Sequence, residues 1–342
     1  MTTPPQPKTG IVLLNMGGPE SLETVGPFLY NLFSDPDIIR LPFSSLLQKP
    51  LAWTIVNSRL KEAQHNYRQM GGNSPQLDYT LQQRDALRLA LQNKNIDLPM
   101  AIAMRYWHPF TEAAVDELLA QGVTNLIALP LYPHFSYTTT GSSVKELQRV
   151  LNQKAPGTTL KTVEPYYHHP LYLQALSQTI AEALANNEWA CPQEEVQILF
   201  SAHSLPKKHV ARTKDPYPDQ IFECVTALMK THFPQHKWEL SFQSRVGNMP
   251  WLGPYTDGVL HYFAGKHIDN VLVVPISFVS EHVETLVEID QLYGQLANDL
   301  GIKHYHRAST LNTNPLFIEC LANLVTEAMN SKTTEPEEAA IS

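Results

Sequence analysis

The strongest constraint on the fold is a pattern in which short apolar runs, each closed by turn-forming residues, alternate with longer stretches of helical periodicity. The runs span residues 11–15, 100–104, 126–131, 196–200, 239–242 and 271–278. None shows a clean in–out alternation, which is how strands buried on both faces of a parallel sheet read. Helical stretches lie between them, at 79–92, 112–121, 171–186 and 221–231. Strands and helices taking turns predict an α/β fold with a doubly wound parallel sheet.

The pattern also repeats. Ala120-Gln-Gly-Val-Thr-Asn-Leu-Ile-Ala-Leu-Pro130-Leu is echoed by Ala264-Gly-Lys-His-Ile-Asp-Asn-Val-Leu-Val-Val-Pro275-Ile, with the prolines 145 residues apart. Just past the preceding run each copy carries an arginine, Arg105 and Arg245, 140 residues apart. Either βαβ units look alike by chance, or the repeat predicts two similar α/β halves, residues 10–160 and 161–330, facing each other across a cleft, with the last helix free to pack back on the first half. Ligands in such sheets bind beyond the carboxyl ends of the strands. Residues 1–9, rich in Pro and Thr, and 331–342, acidic and polar, read as disordered tails.

Composition removes several classes. With 25 Lys+Arg against 33 Asp+Glu the net charge of the 342 residues is -8, the wrong sign for a general nucleic-acid binder. No run approaches the roughly 18 apolar residues of a membrane span, and the start lacks the apolar segment of a secretory signal. A cytoplasmic enzyme is the expectation. Cys191, Cys224 and Cys320 lie far apart with no C-x-x-C, so neither a disulfide framework nor a thiolate metal site is expected. Fourteen histidines outnumber them. Most, among them His65, His209, His232, His236, His261, His267, His304 and His306, fall in polar contexts and read as solvated. The glycine-rich dinucleotide and P-loop motifs, the nucleophile elbow and H-E-x-x-H are all missing from the sequence.

Chemistry concentrates at the strand ends. The run at 196–200 leads into Ser201-Ala-His-Ser-Leu-Pro206, placing His203 where it can accept a proton near neutral pH, ligate a metal as neutral imidazole, or serve as a hydrogen-bonded structural residue. The run at 271–278 leads into Val279-Ser-Glu-His-Val-Glu-Thr-Leu-Val-Glu-Ile-Asp290. In an α-helix Glu281, Glu284 and Glu288 would share one face, at i, i+3 and i+7. No Lys or Arg separates them, so either a divalent cation offsets their repulsion or the face is solvated at a helix N-terminus. The loop Tyr132-Pro-His-Phe-Ser-Tyr-Thr-Thr-Thr-Gly-Ser142 holds the matching place in the first half, and its hydroxyls suit a helix cap or an anion site. Other strand-end loops carry Met16, Tyr106, Trp107, Met249 and Trp251 beside Arg105 and Arg245. Such a set suits a flat apolar ligand bearing carboxylates, or ordinary packing.

Taken in order, these segments resemble the ferrochelatase family, whose members insert Fe²⁺ into a porphyrin. The resemblance rests on Leu14-Asn-Met-Gly-Gly-Pro19, Tyr67-Arg-Gln-Met-Gly-Gly-Asn-Ser-Pro75, Arg105-Tyr-Trp-His-Pro109, Thr139-Thr-Gly-Ser142 and Ser201-Ala-His-Ser-Leu-Pro206. It continues through Asp215-Pro-Tyr217, Gln243-Ser-Arg-Val-Gly247, Pro250-Trp-Leu252 and His282-Val-Glu-Thr-Leu286, covering about residues 10–325. It implies a chelatase fold of two Rossmann-like halves with protoporphyrin IX in the cleft. His203 and Glu284 would act as a unit at the metal. Glu281, Glu288 and Asp290 would form an acidic relay leading away from it. Met16, Leu32, Arg105, Tyr106, Ser136, Thr140, Arg245 and Trp251 would bind the macrocycle. Fe²⁺ would be substrate rather than resident cofactor, and two pyrrole protons would leave.

The sequence also departs from the family. It has Pro133-His-Phe-Ser136 where many members read Pro-Gln-Tyr-Ser, and Lys214-Asp-Pro-Tyr217 where many read Gly-Asp-Pro-Tyr. Tyr137 takes the place of the internal cysteine of iron–sulfur members, and no cysteine follows Cys320, so no 2Fe–2S cluster is expected. The form Glu-Thr-Leu-x-Glu with Met16 resembles the protoporphyrin branch. The alternatives are a coproporphyrin III chelatase, a chelatase for another metal, and a non-catalytic tetrapyrrole carrier. Contact with a membrane surface, where an apolar substrate partitions, stays open.

Overall fold

The fold is taken from a computed structural model that describes residues 7–38, 48–247 and 249–331. Strands β1 (Thr9–Asn15), β2 (Met100–Met104), β3 (Asn125–Pro130) and β4 (Thr159–Thr162) form a parallel sheet in the order β2-β1-β3-β4. Strands β5 (Gln197–His203), β6 (Trp238–Gln243), β7 (Asn270–Pro275) and β8 (His304–Arg307) form a second parallel sheet in the corresponding order, β6-β5-β7-β8. The sequence echo is therefore topological. Pro130 and Pro275 close β3 and β7, and Arg105 and Arg245 follow β2 and β6.

The helices are α1 (Val25–Ser34), α2 (Gln48–Gln69), α3 (Gln76–Gln92), α4 (Thr111–Ala120), α5 (Ser142–Lys154), α6 (Pro170–Asn186), α7 (Lys207–Thr213), α8 (Tyr217–His232), α9 (Thr256–Gly265), α10 (Gly294–Asp299) and α11 (Pro315–Asn330). Local chemistry starts two of them firmly. Asn314 caps α11 by accepting from the N–H groups of Leu316 and Phe317, and Pro315 supplies a fixed φ at the first helical position. His169 and Pro170 do the same for α6. None of the described helices is long and apolar enough to cross a membrane.

The inner strands β1, β3, β5 and β7, with β2, feed two cores and do not alternate, whereas β6, with Trp238, Leu240 and Phe242 all on the inner core, does. Ile11, Leu13, Ile102 and Leu129 of the first sheet join Ile198, Phe200, Leu272 and Val274 of the second in one inner core. Leu87 and Leu91 of α3, Leu176 and Ile180 of α6 and Phe317, Leu321 and Val325 of α11 fill the space between them. The intervening residues face outward. Val12, Leu14, Ala101 and Ala128 pack with α4 and α5. Leu199, Val271 and Val273 pack with α9 and α10. The halves are therefore not independent globules, since a domain in the strict sense has its own core and here the inner one is common to both. The two short edge strands, β4 and β8, lie outside the predicted runs because their residues are partly exposed and largely polar, Thr-Leu-Lys-Thr and His-Tyr-His-Arg. Strand β1 begins at Thr9, inside the expected tail, and the remainder of both tails falls largely outside the described residues.

Candidate active site

His203 is the last residue of β5 and stands at the carboxyl edge of the second sheet. Its backbone is fixed from two sides: the N–H donates to Ser277 Oγ (2.9 Å) and the carbonyl accepts from Tyr217 Oη–H (2.9 Å). The imidazole sits edge-on to the Phe278 ring, and neither ring nitrogen is hydrogen-bonded to a described residue. Burial lowers its pKa, against the opposing pull of the Glu284 and Glu288 charges. The result is a neutral ring near pH 7 with a lone pair to give.

The acidic segment differs from the expected α-helix. Residues Glu284–Tyr293 form a π-helical stretch, a rare geometry that recurs at functional sites. Glu281 precedes it and does not share the face of Glu284. It is buried, with Oε1 accepting from Arg307 Nη1 (3.0 Å) and the Thr310 N–H (3.1 Å), and Oε2 accepting from Thr285 Oγ1–H (2.5 Å). Asp290 turns to the same arginine, at 2.6 Å and 2.9 Å. Arg307, on edge strand β8, thus pairs with two of the four carboxylates and offsets one of their two charges. This corrects the expected relay: Glu281 and Asp290 are structural partners of one cation.

Glu288 is held differently. Its two oxygens accept from the Ser244 N–H (2.7 Å), the Ser244 hydroxyl, Gln243 Nε2 (3.2 Å) and Tyr293 Oη–H (3.0 Å). A carboxylate offers about four lone-pair positions, so Glu288 cannot accept a new ligand without losing a donor. Ser244 makes two of these bonds from a left-handed backbone (φ 65°), a conformation costly for a non-glycine residue. Glu284 is the carboxylate with capacity left. Its Oε2 lies 2.7 Å from His282 Nδ1, and Oε1 has no partner among the described residues. Burial pushes its carboxyl upward, but His282, by charge and hydrogen bond, and the charge of His203 outweigh that and hold it down to about 2. Of the predicted metal group, His203 and Glu284 interact electrostatically and His282 pairs with Glu284, while no cluster of three His, Cys, Asp or Glu side chains set to hold a metal is found among the described residues.

In the first half, the matching loops meet on an aspartate that the sequence reading did not single out. Asp35 caps the C-terminus of α1 and is buried. Its Oδ2 accepts from Arg105 Nη2 (2.8 Å), Tyr106 Oη–H (2.8 Å) and Ser142 Oγ–H (2.5 Å), and its Oδ1 from the Asp37 N–H (2.8 Å). Arg105 Nε also donates to Ser142 Oγ (2.8 Å). Tyr106 is consequently buried with its hydroxyl consumed, not free to contact a ligand as expected. Met16 and Leu32 pack against Phe28, Tyr106 and Trp107, forming an apolar wall.

Two further expectations change. Ser136 is buried and donates to Asp215 Oδ2 (2.8 Å), whose other bonds hold the Tyr137 and Tyr217 N–H groups. It joins the halves rather than facing a ligand, and Thr140 is buried beside it on the π-helical turn Tyr137–Gly141. Arg245 is exposed, stacked over the Tyr255 ring at 4.3 Å and paired with Asp257, so its charge already has a partner. Trp251 is fixed close to His203: it bridges to Pro206 in the loop after β5, and its Nε1–H donates to the Val246 carbonyl (2.9 Å). Of the histidines expected to be solvated, His209 is not; its Nε2 is buried without a hydrogen bond, 3.8 Å from Asp215 Oδ2. Asp35, Asp215 and Arg307 were missed for one reason. Their roles come from tertiary pairing over 26 to 79 residues of sequence separation, which no local pattern encodes.

Comparison with known proteins bears on this arrangement. The ferrochelatase family model matches residues 8–329. A ferrochelatase of Synechococcus sp. (strain RCC307) is 44% identical over 336 residues, covering 97% of this chain and 86% of that protein. A ferrochelatase of Synechococcus elongatus is 45% identical over 324 residues, covering 94% of this chain and 83% of the relative. Among solved structures, SirB from Bacillus subtilis with Fe³⁺ aligns with a TM-score of 0.55 over 94% of this chain and 95% of its own, at 14% identity, a likeness of fold. With the two parallel sheets and the strand-end His–Glu pair already described, a match of this extent and identity places the chain in the ferrochelatase family.

Proposed function

We propose that this protein inserts Fe²⁺ into protoporphyrin IX, releasing two protons and forming haem. The observation that carries the reading is the pairing of His203, neutral and with unbonded ring nitrogens, with Glu284, ionised and with one oxygen unclaimed. Metal insertion needs a base for two pyrrole N–H protons and a negative charge to receive a cation stripped of water. A ring held below its usual basicity accepts a proton and releases it readily. A carboxylate that stays ionised far below neutral pH stabilises either the imidazolium or the incoming Fe²⁺. His282, 2.7 Å from Glu284, offers the next hydrogen-bonded atom for a departing proton. Glu288, saturated by four donors, supplies a fixed charge behind the pair.

Met16 and Leu32, packed with Phe28, Tyr106 and Trp107, would give the macrocycle an apolar wall, and Trp251, tied to Pro206 in the loop after His203, would contribute from the second half. Few cations are offered for substrate carboxylates: Arg245 is paired with Asp257, and Arg105 keeps a single nitrogen, Nη1, without a partner among the described residues, which suits two propionates better than the four carboxylates of coproporphyrin. The direct test is anaerobic Fe²⁺ with protoporphyrin IX, followed by the absorbance change of haem. Acceleration over buffer that is lost in His203→Ala supports the reading. A wild-type protein that binds the porphyrin without acceleration is a carrier and overturns it.

A further inference from the structure

We propose that Asp35 is a positioning residue for substrate recognition: it holds Arg105 so that one edge of the guanidinium is kept for a carboxylate of the porphyrin. The proposal rests on the reading above that a carboxylate-bearing tetrapyrrole occupies the cleft.

The geometry is specific. A guanidinium presents its donors in a planar fork, and Arg105 spends two of its three nitrogens inside the protein. Nε donates to Ser142 Oγ and Nη2 to Asp35 Oδ2, each at 2.8 Å. Nη1 has no partner among the described residues, and the side chain keeps 20% of its surface exposed against 2% for Asp35. The guanidinium carbon lies 5.0 Å from the centroid of the Tyr106 ring, which blocks one face. Tyr106 is in turn fixed by the same Asp35 oxygen, 2.8 Å away. One buried carboxylate therefore sets both the rotation of the arginine and the ring beneath it. It also links α1, which supplies Leu32, to the start of α5, which supplies Ser142. A freely rotating arginine would lose rotamer entropy on each binding event, and here the protein has already lost it. The Asp35 charge also tempers the attraction for an anion, which suits a site that must release a dicarboxylate product.

The test compares protoporphyrin IX with its dimethyl ester, both in the same non-ionic detergent, in the wild type, in Asp35→Ala and in Ser142→Ala. Wild type is expected to favour the acid in kcat/KM. In Asp35→Ala the acid-to-ester ratio should fall by about ten-fold, the loss of one oriented charge-assisted hydrogen bond. It should appear as a raised KM for the acid. Ser142→Ala, which removes the Nε partner and one donor to Asp35 but keeps the Asp35–Arg105 pair, should move the ratio in the same direction by about three-fold. A merely structural role would lower both substrates together and leave the ratio unchanged; that result, in either variant that folds, overturns the proposal. Equal kcat/KM for acid and ester in the wild type overturns it too, and leaves the metallation reading standing. No metallation of either porphyrin by the wild type overturns the metallation reading instead.

Discussion

The two halves place different residues at the same address. Asn15 ends β1 and His203 ends β5, each at the centre of a sheet with the same strand order. Asn15 is fully engaged: Nδ2 donates to Thr80 Oγ1 (3.0 Å), and Oδ1 accepts from the Met16 N–H (2.8 Å) and Gln76 Nε2 (3.1 Å). His203 is left without a side-chain partner. The arginines repeat the contrast. Arg105 and Asp35 in the first half balance one charge against one, while in the second half Arg307 serves both Glu281 and Asp290, leaving Glu284 to His282 and Glu288 to hydrogen-bond donors alone. A satisfied strand end shapes a ligand site, and an unsatisfied one can do chemistry on what lies there.

Breaking this contrast should have graded effects. His203→Ala is expected to lower kcat by 10²–10⁴, the usual worth of a positioned base, with porphyrin binding by fluorescence changed far less. Asn15→Ala at the matching position should instead cost about 1–3 kcal/mol in urea unfolding through its orphaned partners. Arg307→Met leaves two carboxylates without their cation, one of them buried. It should destabilise by about 3–5 kcal/mol, read in the same unfolding assay at pH 7. The loss should shrink at acid pH, where Glu281, pushed up by burial but held below the usual carboxylate range by Arg307, protonates.

The seam between the halves provides the next effect. His134 is buried against Tyr167, Tyr172 and Tyr217, neither ring nitrogen has a hydrogen bond, and burial pushes its pKa down to about 3. A group whose folded pKa lies below its unfolded 6.5 binds fewer protons when folded, so stability falls as pH drops below about 6.5. Between pH 6.5 and 4.5 that amounts to about 2–3 kcal/mol. His134→Gln should flatten this part of the urea-midpoint profile, and an unchanged slope would show that another group sets it. Glu284, held at about 2, adds a separate loss beginning near pH 4.5 and running lower. The smallest effect is a gain. Lys214 has φ 50° and ψ 46° at the C-cap of α7, where glycine carries no Cβ penalty. Lys214→Gly should therefore raise stability by about 1 kcal/mol, measured as Tm.

That last residue shows what the sequence could and could not tell. Glycine at the position of Lys214 in many family members marked a departure, and the left-handed backbone gives its reason. The apolar runs located six of eight strands because burial on both faces leaves a compositional trace. Edge strands β4 and β8 leave none. His203 was legible because a strand end followed by a turn fixes where its side chain emerges. The acidic run was visible as charge, but α-periodicity grouped Glu281 with Glu284, whereas the π-helical stretch and Arg307 part them. Cancellation of charge by a residue of another strand has no signature along the chain.

The common inner core has a consequence for synthesis on the ribosome. When β4 has been made, the first sheet has one face covered by α4 and α5, while Ile11, Leu13, Ile102 and Leu129 still await α6 and α11. α11 begins at Pro315 and is inserted among contacts from both sheets. With α3 already made and α6 following soon after, a nascent chain carries an incompletely covered apolar sheet face, still lacking α11, through more than 150 further residues of elongation. Such surfaces are the ones that aggregate or recruit chaperones. At about 5–20 residues per second that exposure lasts on the order of ten seconds or more. The C-terminal helix thus acts as the closing step of assembly, and arrest before Pro315 would yield a sticky intermediate instead of a smaller working protein.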